Sequence, residues 1–222
     1  GDWKSGPAMT IARWGHAMVS LPNGKVLITG GVDSNSRPVK SVELYDPATN
    51  GIKEIEPMTF ARDSHVLVQS DRGEVLVAGG YGFEGTPLAS AEIFEVSSGR
   101  WISVKEMETP RASPSFLLLN NGHVLVAGGL LGFDTPLSTA EIFDFELRSW
   151  TSAGSMREAR VGHGMVQMEL GEVYIVGGFS LSPVDTIEVY KPTGGGWSTS
   201  EFLAETMLQN IDIFLAKLRD RS

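Results

Sequence analysis

Three of the four histidines in this 222-residue chain, His16, His65 and His163, each stand three residues after an arginine, Arg13, Arg62 and Arg160. Three imidazoles held at one height could ligate a metal ion. A fourth arginine, Arg111, continues the series, but Pro114 fills the histidine place after it. The arginines are 49 residues apart, and glutamates recur in nearly the same rhythm at Glu43, Glu92, Glu141 and Glu188. A guanidinium suits bidentate recognition of a carboxylate or a sugar, and carboxylates with imidazoles can move protons. Against such chemistry stands the copy number, because a residue present in every copy of a unit is placed by the unit itself. Catalysis needs one residue with a role that its counterparts lack. The sequence therefore predicts four equivalent Arg and Glu environments that hold the fold, histidines bonded between strands, and neither a metal nor another cofactor. His123 falls beside a turn and is expected at the surface.

The elements that position these residues follow from the same period. Four apolar segments end in paired glycines: Val26 to Gly31, Val75 to Gly80, Val124 to Gly129 and Val173 to Gly178. A turn glycine precedes each, at Gly24, Gly73, Gly122 and Gly171. Met9, Met58, Met107 and Met156 precede the arginines, and the aromatic residues Tyr45, Phe94, Phe143 and Tyr190 follow two residues after the glutamates. Trp3, Trp101, Trp150 and Trp197 mark a further position, which Ile52 fills once. A period near 50 with four short strand signals is that of a propeller blade, a sheet whose faces are covered only when neighbours stack on them. Each unit reads as strand a after the arginine, strand b up to the diglycine, strand c through Glu-x-aromatic, and strand d from the tryptophan.

With these landmarks in one register from residue 3 to about 203, the chain resembles the kelch-repeat family of β-propellers, in its bacterial form. The resemblance implies an all-β fold of four-stranded blades, with strand a nearest a central channel and strand d at the rim. It implies four full repeats, at about 13–61, 62–110, 111–159 and 160–203, in a propeller domain over residues 1–200. An extra strand d at 3–9 is expected, of the kind that closes kelch rings, although the last repeat already has Trp197. Residues 201–222 form a separate segment. There Leu203, Met207, Ile211, Phe214 and Leu218 lie on one helical face, Ser198 and Glu201 suit a capping box, and Lys217, Arg219 and Arg221 gather at the end, which predicts a helix.

Enzyme relatives can be compared motif by motif. The copper site of galactose oxidase uses a cysteine-crosslinked tyrosine, and this chain has no cysteine. The sialidase Asp-box and the iron-binding motif of specifier proteins are both absent. A kelch-type sialic-acid mutarotase stays open, because its chemistry needs only acid and base groups near the channel.

The connections between strands b and c differ most from blade to blade, and loops on a rigid scaffold are where binding residues gather. Tyr81, Phe83, Leu131, Phe133 and Phe179 all lie just after a diglycine, so they should emerge on one side of the ring. Either they cap the core or they form an apolar patch for a partner. The reading is of a scaffold that binds a protein through this loop face, with further copies of the chain as another partner. A net charge of −9 repels nucleic acid and acidic membrane surfaces. No apolar run nears the roughly 18 residues that cross a bilayer, and no basic stretch followed by an apolar core opens the chain, so a soluble protein is expected, in a compartment that the sequence leaves open.

Overall fold

The computed structural model describes residues 5–194 and 196–199. Sixteen strands form four antiparallel sheets, each in simple meander order. The first sheet holds β1 (Ala17–Ser20), β2 (Val26–Thr29), β3 (Val42–Asp46) and β4 (Gly51–Ile55). The second holds β5 (Val66–Gln69), β6 (Glu74–Ala78), β7 (Ala91–Glu95) and β8 (Arg100–Val104). The third holds β9 (Ser115–Leu118), β10 (Val124–Ala127), β11 (Thr139–Asp144) and β12 (Ser149–Ser155). The fourth holds β13 (Gly164–Gln167), β14 (Val173–Val176), β15 (Ile187–Lys191) and β16 (Gly196–Thr199). These are the a, b, c and d strands expected for four blades, with strand d starting one residue ahead of the tryptophan.

Strand b is apolar on nearly every residue because it is covered from both sides, as strands are inside a stack of sheets. Each blade has a forward face and a backward face. Between the first two blades, Leu27, Val42 and Leu21 pack on Val75, Val77, Phe94 and Trp101. The same arrangement sets Leu76, Ala78 and Ile93 against Val124, Val126, Phe143 and Trp150, and then Leu125, Ala127 and Leu119 against Val173, Ile175, Tyr190 and Trp197. The aromatic of strand c and the tryptophan of strand d pair in each of the last three blades, with ring centroids 5.0 to 5.1 Å apart. Met58, Met107 and Met156 plug the interfaces from the connecting segments.

The inner strands run side by side, β1 with β5, β5 with β9 and β9 with β13. Among the described residues β13 and β1 are not packed in this way, so the four blades make an arc. Along its channel edge Ser64 N–H donates to the Gly15 carbonyl and Ser113 N–H to the Ser64 carbonyl, both at 2.9 Å.

Of the extra strand expected at 3–9, residues 5–9 run without strand pairing, and the rest lies outside the described residues. A strand d can pair only with a strand c, and all four c strands already carry their own. The helix expected over 201–222 lies outside the described residues.

Candidate functional site

The arginines form one network four times over. Arg111 is fully buried, and its Nη1 donates to the carbonyls of Gly128 and Thr139 at 2.9 and 2.8 Å. Its Nη2 donates to Thr139 Oγ1 and, at 2.9 Å, to Glu141 Oε1. Arg13, Arg62 and Arg160 repeat this set with Glu43, Glu92 and Glu188 at 2.8, 3.2 and 2.8 Å. The carboxylates are also filled from the other side by amides of the connecting segment, such as Glu108 N–H and Thr109 N–H on Glu141. Burial presses the Arg62 and Arg111 guanidinium groups below their usual range, opposed by the adjacent glutamates. The Arg and Glu side chains are thus buried and engaged with one another in every blade.

The histidines differ from one another because the residue that faces them changes. His65 Nε2 meets Thr29 Oγ1 of the preceding blade at 2.8 Å. The counterpart of Thr29 opposite His163 is Ala127, which offers no oxygen, and neither ring nitrogen of His163 has a partner among the described residues. No group of three or more His, Asp or Glu side chains that could hold a metal ion occurs among the described residues. His123 is partly exposed, with Nε2 3.6 Å from Asp144.

Burial, then the charge of Arg62, then His16 lower His65 to about 3, while burial and Arg160 lower His163 to about 4. An unfolded histidine titrates near 6.5. As pH falls below about 6.5 the unfolded chain takes up protons that the folded chain refuses, so stability is full above that value. It drops by roughly 1.4 kcal/mol per pH unit per histidine, down to about pH 4 for His163 and pH 3 for His65. Urea midpoints measured from pH 7.5 to pH 5 should fall accordingly, and His163→Leu should flatten part of the slope. A slope unchanged by that variant would remove His163 as a contributor.

One position at the channel mouth escapes the repeat. The residue after each arginine is Trp14, Asp63, Ala112 or Val161, and each bridges to the residue that follows the diglycine. Trp14 is 64% exposed, whereas Asp63 is buried. Burial raises the Asp63 carboxyl, and its bond from Ser64 Oγ at 2.9 Å partly offsets this. Sequence reasoning missed both residues. The signal was available as a change of residue type at a fixed step after arginine.

The b–c loops emerge on this same face. Tyr81 stacks on Phe133 of the next blade at 5.5 Å and 18°, and its hydroxyl donates to the Gly132 carbonyl at 3.1 Å. Burial, then Asp63, raise the Tyr81 phenol. The Phe133 ring lies over Gly85, where an added Cβ would come within 2.3 Å of it and where φ is +69°. Phe133 nevertheless remains 77% exposed, Phe83 is 68% exposed in a short 3-10 turn (Phe83–Gly85), and Leu131 is also exposed. These four residues share the loop face of the second and third blades. Phe179 is exposed as well but stands on the fourth blade, at the position that Tyr81 occupies on the second.

The family model of the Kelch motif matches residues 15–50, 64–108 and 118–157, more than half of the chain. The chain belongs to the kelch family. Its matched repeats coincide with the first three blades, and the fourth repeats their Arg–Glu latch and diglycine. Among solved structures, the one described as "Structure of YjhT" superposes with a TM-score of 0.72 at 13% identity, covering 89% of this chain and 73% of that one. At this identity the likeness speaks for the kelch propeller fold. No curated protein matches the chain. No helix among the described residues is long and apolar enough to cross a membrane.

Proposed function

We propose that this kelch propeller is a scaffold that binds a partner protein through the b–c loop face of its second and third blades. The observation that carries this reading is the division of labour among side chains. The repeated arginines and glutamates are engaged in the frame, while Phe83, Leu131 and Phe133 stand exposed on adjacent loops. Large apolar side chains grouped on a rigid surface are the usual anchors of a protein interface. Tyr81 and Gly85 hold Phe133 in place, so little conformational freedom is lost when a partner arrives.

The test uses immobilised chain as bait, with proteins retained by the wild type compared with those retained by the Phe83→Ala/Phe133→Ala variant. Each substitution should weaken a genuine partner by about 1–3 kcal/mol, with the thermal midpoint nearly unchanged, because loop tips add little to the blade cores. Equal retention by both baits would count against this face.

A carbohydrate-active enzyme at the channel mouth, of the mutarotase kind, is a second reading, and Asp63 is the observation in its favour. A buried carboxyl that burial raises above its ordinary value, standing beside the b–c loops, is the sort of group that serves as an acid or base. Accelerated anomer exchange of a free sugar, abolished in Asp63→Asn, would move the assignment to this reading.

A further inference from the structure

The loop face of the second and third blades carries a charge pattern beside its apolar one, and we infer that it takes a basic segment of a partner protein, in which arginine or lysine flanks an apolar anchor. This rests on the loop-face reading above and adds the chemistry of the partner to it. In both loops the exposed phenylalanine is followed at once by a carboxylate, as Gly82-Phe83-Glu84 in the second blade and Gly132-Phe133-Asp134 in the third. Neither loop, from Tyr81 to Ser90 or from Leu130 to Thr139, holds a lysine or an arginine. The fold then joins the two loops, because the Phe133 ring lies over Gly85, the residue after Glu84. Both acidic positions are thus next in the chain to one contact.

These carboxylates are left for something else to meet. Glu84 and Asp134 are exposed, and neither reaches a basic side chain among the described residues. Asp134 accepts from Thr135 Oγ1 at 3.3 Å. In the loop of the first blade, by contrast, Asp33 is turned onto the amides of Asn35 and Arg37 at 2.8 and 2.9 Å, and in the fourth blade a serine follows Phe179. At the other end of the strands Asp46, Glu74, Glu95, Glu146 and Glu172 each meet a lysine or an arginine. The connection between the second and third blades adds Lys105 against Glu106 and Glu108, so carboxylates stay in excess on the loop side.

Lysine and arginine lay an apolar stem along a surface and keep the charged head at its edge. The head can also rest on an aromatic face. A phenylalanine with a carboxylate beside it offers a place to each half of such a side chain. An acidic segment would be repelled by the same two groups, and charges at the rim of an interface select partners in this way.

The test uses three fluorescent peptides with one shared core of leucine and tryptophan, flanked by arginine, serine or glutamate, titrated onto the full chain by anisotropy at low and at physiological salt. The arginine peptide should bind about threefold to thirtyfold tighter than the serine peptide at low salt, a gap that salt narrows, and the glutamate peptide should bind most weakly. Glu84→Gln/Asp134→Asn should remove most of that gap while leaving the serine peptide unchanged. Asp71→Asn/Glu169→Gln makes the same change of charge at the exposed turns on the other side of the blades and should leave the gap in place. An arginine peptide weakened equally by both pairs, or by neither, overturns the inference, since attraction to the net charge of the chain would then account for it. If all three peptides bind alike and Phe83→Ala/Phe133→Ala weakens all three, the loop face binds through its apolar groups alone and the inference falls while the reading beneath it stands. Binding of none of the peptides overturns the inference too, and the loop-face reading is then judged by the retention comparison described for it.

Discussion

Replacing Arg111 by methionine should lower the stability of the fold by about 3–5 kcal/mol, because the change leaves the buried Glu141 carboxylate without its cation. Methionine keeps much of the side-chain volume, so the effect isolates the charge and its four hydrogen bonds. Set against the 5–15 kcal/mol that typically holds a domain together, the loss is a large share. The double variant Arg111→Met/Glu141→Gln should recover part of it, since glutamine stays neutral and its one amide oxygen can still accept from one of the two amides, Glu108 N–H or Thr109 N–H, that reach separate oxygens of the carboxylate. Urea unfolding of the two variants beside the wild type measures both numbers. A single variant within 1 kcal/mol of the wild type, or a double variant worse than the single, would refute this account of the latch.

The diglycines should separate sharply when tested one by one. At Gly128 an added Cβ would stand 2.3 Å from the Arg160 carbonyl oxygen, and φ is +63°. Strain in the left-handed region costs about 1–2 kcal/mol, and forcing extra volume into a packed interface adds about 1–3 kcal/mol. Gly177 has nearly the same φ, +66°, but its nearest neighbour among the described residues is the Val184 oxygen at 3.6 Å, in ordinary contact. Gly177→Ala should therefore cost only the conformational part, and Gly128→Ala about twice as much or more. Thermal midpoints of the two alanine variants give the comparison. Equal midpoints would mean that backbone conformation alone, and not the approach of the next blade, requires glycine here.

The frame was legible because its chemistry repeats. Gly30, Gly79, Gly128 and Gly177 marked the ends of strand b, and the arginines and glutamates at one step each marked a buried pair. All four proved equivalent. What the repeat does not encode was harder to read. The contrast between His65 and His163 depends on Thr29 against Ala127, a difference that matters only across a blade interface. Asp63 and Trp14 were hidden by their neighbours in sequence, since the adjacent arginine and the following histidine drew attention to the shared pattern. The five loop residues were visible as apolar outliers. That Phe133 lies over Gly85 and against Tyr81, while Phe179 stands apart on the last blade, follows from which blade comes next, and spacing along the chain carries no such information.

The glutamate that holds the arginine also clips the connecting segment that leads into its own blade, through the Thr59 and Phe60 amides on Glu92 and through Glu108 and Thr109 on Glu141. A segment cut from one methionine to the next therefore contains the connection, the clip and the latch together, and looks to its neighbours for apolar cover, backbone bonds and a few side-chain contacts such as that of His65 with Thr29. Such a segment is a cassette. Tandem duplication of a coding stretch with those ends would add a blade whose buried arginine and glutamate are already paired, and the unvarying step of 49 residues between successive arginines is what repeated copying of one cassette would leave behind.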